Sequence, residues 1–262
     1  MKTGSFLLSM GIISLLTASG CSRVSDVPTI QHASSLEAAP VGSEAKSYLT
    51  DDAYDELVVE IVAVEGFEPS DEALVHLRSF LEARLNKPAG IQIVVAPPIP
   101  PTGLSSISVE QVYGLEQRHR TQYHSGTTAS AFFLFLDAPY SADGADSQTL
   151  GIAYTPTSMA IFEKTILDHT NMGAARMRRR VVEGTILTHE FGHILGLVNI
   201  GTPMVNDHAD HSHSDGHCNN PDCIMYYAIN TTRGWPDFVF SGFVVPPLDQ
   251  ECIHDLKAAG GK

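Results

Sequence analysis

Thr188-His189-Glu190-Phe191-Gly192-His193-Ile194-Leu195-Gly196 opens the stretch around which this chain is organised. The stretch runs on through Asn199 and closes with His217-Cys218, Cys223 and Met225. Six of the chain's twelve histidines fall between His189 and His217, a crowding that suits metal ligation better than chance scatter. His189 and His193 are four residues apart. On a helix that spacing puts both imidazoles on one face, roughly 5–6 Å between Cβ atoms, so that both reach one ion. Glu190 falls on the neighbouring edge of that face. Its carboxylate can take a proton from a metal-activated water as the water attacks a carbonyl, then hand it to the leaving amine. Imidazole ligands with an open position fit Zn2+. The apolar residues Val181, Val182, Leu187, Phe191, Ile194 and Leu195 predict one long helix over Ala174–Leu197, with Arg176 to Arg180 on its solvated side. Gly196 stands where such a helix stops and turns with positive φ.

His189-Glu190-x-x-His193-x-x-Gly196 resembles the metzincin clan of zinc peptidases, and His217-Cys218-x4-Cys223-x-Met225 resembles the archaemetzincin branch. Together the motifs resemble bacterial membrane-anchored metalloproteases of metzincin type. The resemblance covers residues 188–227. It implies a single catalytic zinc, a substrate cleft across the front, and a methionine turn beneath the metal at Met225. Tyr227 lies two residues after that methionine, where some metzincins place a tyrosine that stabilises the oxyanion; packing of its ring is the alternative. An edge strand that binds extended substrate by backbone pairing is assigned to the 151–162 segment.

The chain departs from the clan at its third ligand, expected three residues after the glycine. That residue is Asn199, and an amide oxygen is a poor zinc ligand. Either residues 200–216 form an inserted loop that returns His217 to the metal, which the intact His-Cys pair favours, or His208 reaches it from within the loop. His211 and His213, with Asp210, could hold a second ion or simply be a solvated polar loop. Archaemetzincins use four cysteines for a second zinc. Here only Cys218, Cys223 and Cys252 are at hand, without a CxxC pair, so a disulfide between two of them is expected instead.

Working outward, Leu57–Val64 and Ile91–Val95 read as strands, and Asp71–Leu85 as the helix between them. Ser108–Arg120 reads as a short helix. Ala129–Leu136 (ASAFFLFL) is apolar throughout and so is expected to be buried on both faces of a sheet. Leu150–Tyr154 and Ser158–Phe162 are short strands around a turn. Trp235–Val245 looks strand-like, and Leu248–Ala259 a closing helix. The expected fold is α/β (α+β): a mixed sheet, a zinc-site helix and a small C-terminal subdomain.

Residues 1–20 read as a signal peptide: Lys2, an apolar run over Phe6–Thr17 too short for a comfortable membrane span, then Ala18-Ser19-Gly20 before Cys21. This resembles the bacterial lipoprotein signal, which implies lipid attachment at Cys21; an ordinary cleaved secretory signal is the alternative. Residues 21–50 then form a flexible tether and 51–262 the zinc metalloprotease domain. The location implied is the bacterial cell envelope, facing the periplasm or exterior. A formal charge of −14 (16 basic against 30 acidic residues) excludes nucleic acid as a partner and leaves peptide or protein substrates. The function these readings give is peptide-bond hydrolysis with Zn2+, Glu190 as base and His189, His193 and His217 as ligands. The alternative is a zinc-sequestering lipoprotein or inactive homologue.

Overall fold

The computed structural model describes Met1 and residues 39–170, 175–232 and 244–262. The signal segment after Met1, Cys21, the tether up to residue 38 and most of the Trp235–Val245 segment lie outside the described residues. Among those described, no helix is long and apolar enough to cross a membrane.

Strand β3 (Thr128–Phe135) is the middle of a five-stranded sheet ordered β2-β1-β3-β5-β4. Strands β1 (Glu56–Ala63), β2 (Gly90–Val95), β3 and β5 (Ser158–Ile161) run parallel. Strand β4 (Gly151–Thr155) closes one edge antiparallel to β5. The apolar run in β3, interrupted only by Ser130, has the meaning expected of it. Ala129, Ala131, Phe133 and Phe135 face one core, and Phe132 and Leu134 face the other. Period-two alternation needs apolar residues at every position when both faces are covered.

The larger core lies between the sheet and three helices: α2 (Asp71–Arg84), α5 (Ala175–Ile194) and α6 (Gln250–Ala258). Helix α2 begins at Ser70, whose hydroxyl accepts from Ala73 N; the same hydroxyl donates to the buried Glu183 of α5. The other face is covered by α3 (Val109–His119), started by a capping box between Ser108 and Gln111. A buried Arg120–Glu116 pair at 2.7 Å closes that face with the hydroxyls of Thr157 and Ser158.

Two expectations are corrected here, and one element is added. Residues assigned to the tether form a turn and a short helix, α1 (Ala45–Leu49); Tyr48 and Leu49 are fully buried, so the folded unit begins before residue 51. A helix not foreseen, α4 (Glu163–Thr170), follows β5. Finally, Arg179 does not belong to a wet face. Its guanidinium bridges Glu163 of α4 (3.0 Å) and Glu183 of α5 (2.6 Å), both fully buried. Burial pushes the Glu163 carboxyl well above the usual carboxylate range, with the Glu183 charge adding to it and Arg179 opposing. Two acids in one apolar layer need a shared cation, and the helix turns one arginine inward to supply it.

Candidate metal centre

Helix α5 carries the motif into the core. His189, Glu190, Phe191, Ile194 and Leu195 are all buried, because α5 is sandwiched between the sheet and the segment after it. It ends in a Schellman motif: Gly196 N donates to His193 O (2.9 Å) and Leu197 N to Gly192 O (3.2 Å), with Gly196 at φ +70°. A β-carbon on Gly196 would stand 2.5 Å from Thr202 N, so the position also needs the space. Val198 and Asn199 then adopt φ +55° and +63°. Left-handed backbone is costly for a β-branched residue, of order 1–3 kcal/mol. The chain accepts it in turning sharply away from the metal helix, and Asn199 is left exposed to solvent.

The loop that follows comes back. Ala209 and Cys218 pair antiparallel, with Asp210 N donating to His217 O (2.8 Å) and Asn219 N to His208 O (2.9 Å). This returns His217 to the two helical histidines. One ligand nitrogen from each of His189, His193 and His217 lies within 4.8 Å of the others, and the Nε2 atoms of His189 and His193 are 3.1 Å apart. His189 Nδ1 donates to Ile224 O (2.6 Å) and His217 Nδ1 to Asp215 O (3.0 Å). These bonds fix the tautomers so that both Nε2 lone pairs face the centre. Asn199 is not in this group, and neither is His208.

Glu190 completes the centre. Among the described residues neither of its oxygens has a hydrogen-bond partner, and the same holds for His217 Nε2. Buried polar atoms without partners are rare in folded chains, and a cation with its water would satisfy all three. Burial pushes the Glu190 carboxyl up to about 8; the Ala153 backbone N–H pulls the other way from nearby, without the geometry of a completed hydrogen bond. Burial likewise holds His189 down to about 3, and His193 and His217 below the ordinary histidine value. Imidazoles held neutral are the form that binds metal. The edge strand β4 runs beside this carboxylate: a β-carbon on Gly151 would lie 2.8 Å from Glu190 Oε1.

Met225 lies under the motif. A β-carbon on Gly192 would meet its sulfur at 2.3 Å, so the glycine inside His-Glu-Phe-Gly-His is needed to seat the methionine. Tyr227 stacks face to face on His213, ring centroids 4.3 Å apart, and lies edge-on to Tyr226. His213 in turn is paired with Asp210, and His211 with Asp207. The two loop histidines are thus tied to separate carboxylates rather than turned to a shared ion.

The expected disulfide is not formed. Cys218, Cys223 and Cys252 are free, buried thiols, and Cys223 Sγ is 3.7 Å from Cys252 Sγ. Hydrogen bonding with Cys218 pushes Cys223 down and Cys218 itself up, and Cys252 is raised chiefly by Cys218 too. His208, Cys218, Asp249 and Cys252 form a second group able to hold a metal ion. Sequence reasoning missed Asp249 and Asp255, although Asp249-x-x-Cys252-x-x-Asp255 puts all three on one side of a helix.

With this geometry in hand, a likeness to a solved structure acquires meaning. The crystal structure of archaemetzincin from Methanopyrus kandleri is similar to this chain with a TM-score of 0.51 and 12% identity, over 78% of this chain and 96% of that one. The fold is archaemetzincin-like. No family model matches the sequence, and no curated protein is significantly similar to it. At 12% identity the likeness to archaemetzincin speaks for the fold alone.

Proposed function

We propose that this chain is a zinc-dependent peptidase, with His189, His193 and His217 as ligands and Glu190 as general base. The observation that carries this reading is the buried Glu190 carboxylate, without a partner among the described residues, set beside three convergent imidazoles. Zinc bound there supplies Lewis acidity, making water acidic enough to lose a proton near neutral pH. Glu190 takes that proton during attack on the peptide carbonyl and returns it to the departing amine. A carboxyl poised near neutrality by burial suits both halves of that transfer. Strand β4, on the edge of the sheet and beside Glu190, is the surface along which an extended peptide would pair.

A zinc-sequestering protein would need the imidazoles but not an orphaned carboxylate at their side, which is why the enzyme reading is preferred. Zinc-loaded Glu190→Gln should keep its metal at the three histidines while peptide cleavage falls by about 10²–10⁴-fold, the usual worth of a general base. Cleavage at the wild-type rate would sink the assignment. The reading of residues 1–21 as a lipoprotein signal adds a membrane anchor in a bacterial envelope. It requires that labelled fatty acid enter the wild-type chain and not Cys21→Ser.

A further inference from the structure

The imidazoles of the histidine centre are oriented by hydrogen bonds, but the carboxylate beside them is not. His189 and His217 each donate to a backbone carbonyl, of Ile224 and of Asp215. Neither Glu190 oxygen has a partner among the described residues. A general base has to stay within hydrogen-bond reach of the proton it takes. A long, flexible side chain without a hydrogen bond is kept in one place only by the shape of its surroundings.

That shape is set at one glycine. Gly151 opens the edge strand β4, opposite Ile161 of β5. A β-carbon there would stand 2.8 Å from Glu190 Oε1, 2.9 Å from Glu190 Cγ and 2.6 Å from Ile186 Cγ2, closer than real β-carbons approach other atoms. Backbone conformation does not call for glycine at this position, because Gly151 is not among the glycines with positive φ. Glycine inside a strand weakens it and marks a close approach by something else. Here the close approach is the carboxylate.

The strand is not free to retreat from an added methyl group. Leu150 O accepts from Phe162 N (2.9 Å) on the β5 side. On the opposite side Leu150 N donates to Asn230 O (2.9 Å), and Thr232 N donates to Gln148 O (2.8 Å). Ile186, one turn before Glu190 on α5, is buried, and its branched β-carbon restricts its rotation. The loose end of the Glu190 side chain is the part able to move.

We propose that Gly151 is a positioning residue for the peptidase reaction: the space left by its missing side chain is the berth that fixes Glu190 beside the three histidines. The inference rests on the reading of Glu190 as general base. It also joins that base mechanically to the strand along which substrate would pair. Alanine at 151 displaces the base without removing it, and a misplacement of about 1 Å costs about 10²-fold in rate. Backbone pairing with substrate survives the substitution, so the loss falls on kcat and not on KM.

The test compares zinc-loaded wild type, Gly151→Ala and Gly144→Ala on a peptide that wild type cleaves. Gly144→Ala is the control, since a β-carbon there meets nothing within 4 Å, and it should match wild type. Gly151→Ala should keep its full zinc content, hold KM within about threefold and lose kcat by about 10²-fold. In the Glu190→Gln background the same substitution should lower the residual rate by less than about threefold, because no base remains to be misplaced. A crystal structure of metal-free Gly151→Ala should show β4 and the three histidines superposing on wild type, with Glu190 turned out of its place. Should the contact with Ile186 unfold the single variant, Gly151→Ala with Ile186→Leu removes that branch at nearly constant volume and takes its place. Wild-type kcat in Gly151→Ala, an equal loss in both backgrounds, or a structure with Glu190 unmoved and the strand displaced would overturn the proposal. A wild-type chain that cleaves no peptide would overturn the peptidase reading instead, and the crystal structure would still decide whether Gly151 berths Glu190.

Discussion

Two groups of side chains able to hold a metal ion stand on adjacent residues of one segment, His217 in the first and Cys218 in the second, yet they are built on opposite principles. In the histidine centre, His217 Nε2 and both Glu190 oxygens lack partners among the described residues. In the thiol cluster His208, Asp249 and Asp255 are all engaged, and each of the two acids bonds through both oxygens. Orphaned polar atoms hold reactivity in reserve at a cost in stability, whereas saturated ones hold shape. The comparison teaches that ligand type alone does not separate a working site from a fastening. The state of the surrounding oxygens does.

That comparison can be broken in several ways. The largest effect is expected from His217→Ala. Its loss should empty the histidine centre by more than the 10–100-fold that removal of a mere orienting partner costs, and take peptide cleavage to background. Full occupancy of the histidine centre in this variant, measured by metal analysis, would mean that another side chain completes it.

A pH series on metal-free protein sharpens the contrast. Burial holds His189 at about 3 and keeps His193 and His217 below 6.5, so the unfolded chain binds more protons over that window. Their contribution to stability is present above about pH 6.5 and lost as pH falls, at about 1.4 kcal/mol per pH unit for His189 between 6.5 and 3, with His193 and His217 adding in the same direction. Glu190 has the opposite sign. Raised from 4.5 to about 8, it stabilises fully below 4.5, and this is lost as pH rises through 8. Metal-free Glu190→Gln should therefore be more stable than wild type above pH 8, with the gap closing toward pH 4.5. Denaturant midpoints that differ equally across the range would show that Glu190 is not buried as an orphan.

The smallest effect is expected from Tyr227→Phe. The phenylalanine keeps the stack on His213, so kcat/KM should change by no more than about threefold, against the roughly 10²–10³ lost with a true oxyanion donor. A loss of that larger size would give the hydroxyl, rather than the ring, the working part.

The fold was largely legible because its elements announce themselves locally. The run in β3, the caps at Ser70 and Ser108, and the stop at Gly196 each follow from a few neighbouring residues. The histidine pair with Glu190 was legible for the same reason, being written in one helical turn. Other features depend on contacts far apart in sequence. Arg179 looked solvated because nothing near it shows that Glu163 will arrive across α4. The thiols looked like a disulfide because His208 and Asp255, 47 residues apart, had no visible reason to meet. Tyr48 looked like tether because one tyrosine in a polar stretch does not reveal that its hydroxyl will reach the carbonyl of Ser130 in β3.

One contact made by the turn before α1 bears on how closely the end of the histidine-bearing helix is confined. The turn at residues 41–44 lies directly against the backbone behind the metal helix. A β-carbon on Gly201 would stand 2.1 Å from Gly42 O, and one on Gly42 would stand 2.9 Å from Gly196 Cα. The turn at residues 41–44 is thus packed backbone to backbone against the bend that follows His193, and not against a remote edge of the sheet. A bulkier residue at Gly42 or Gly201 would therefore press on the same bend in which the helix of His189 and His193 ends.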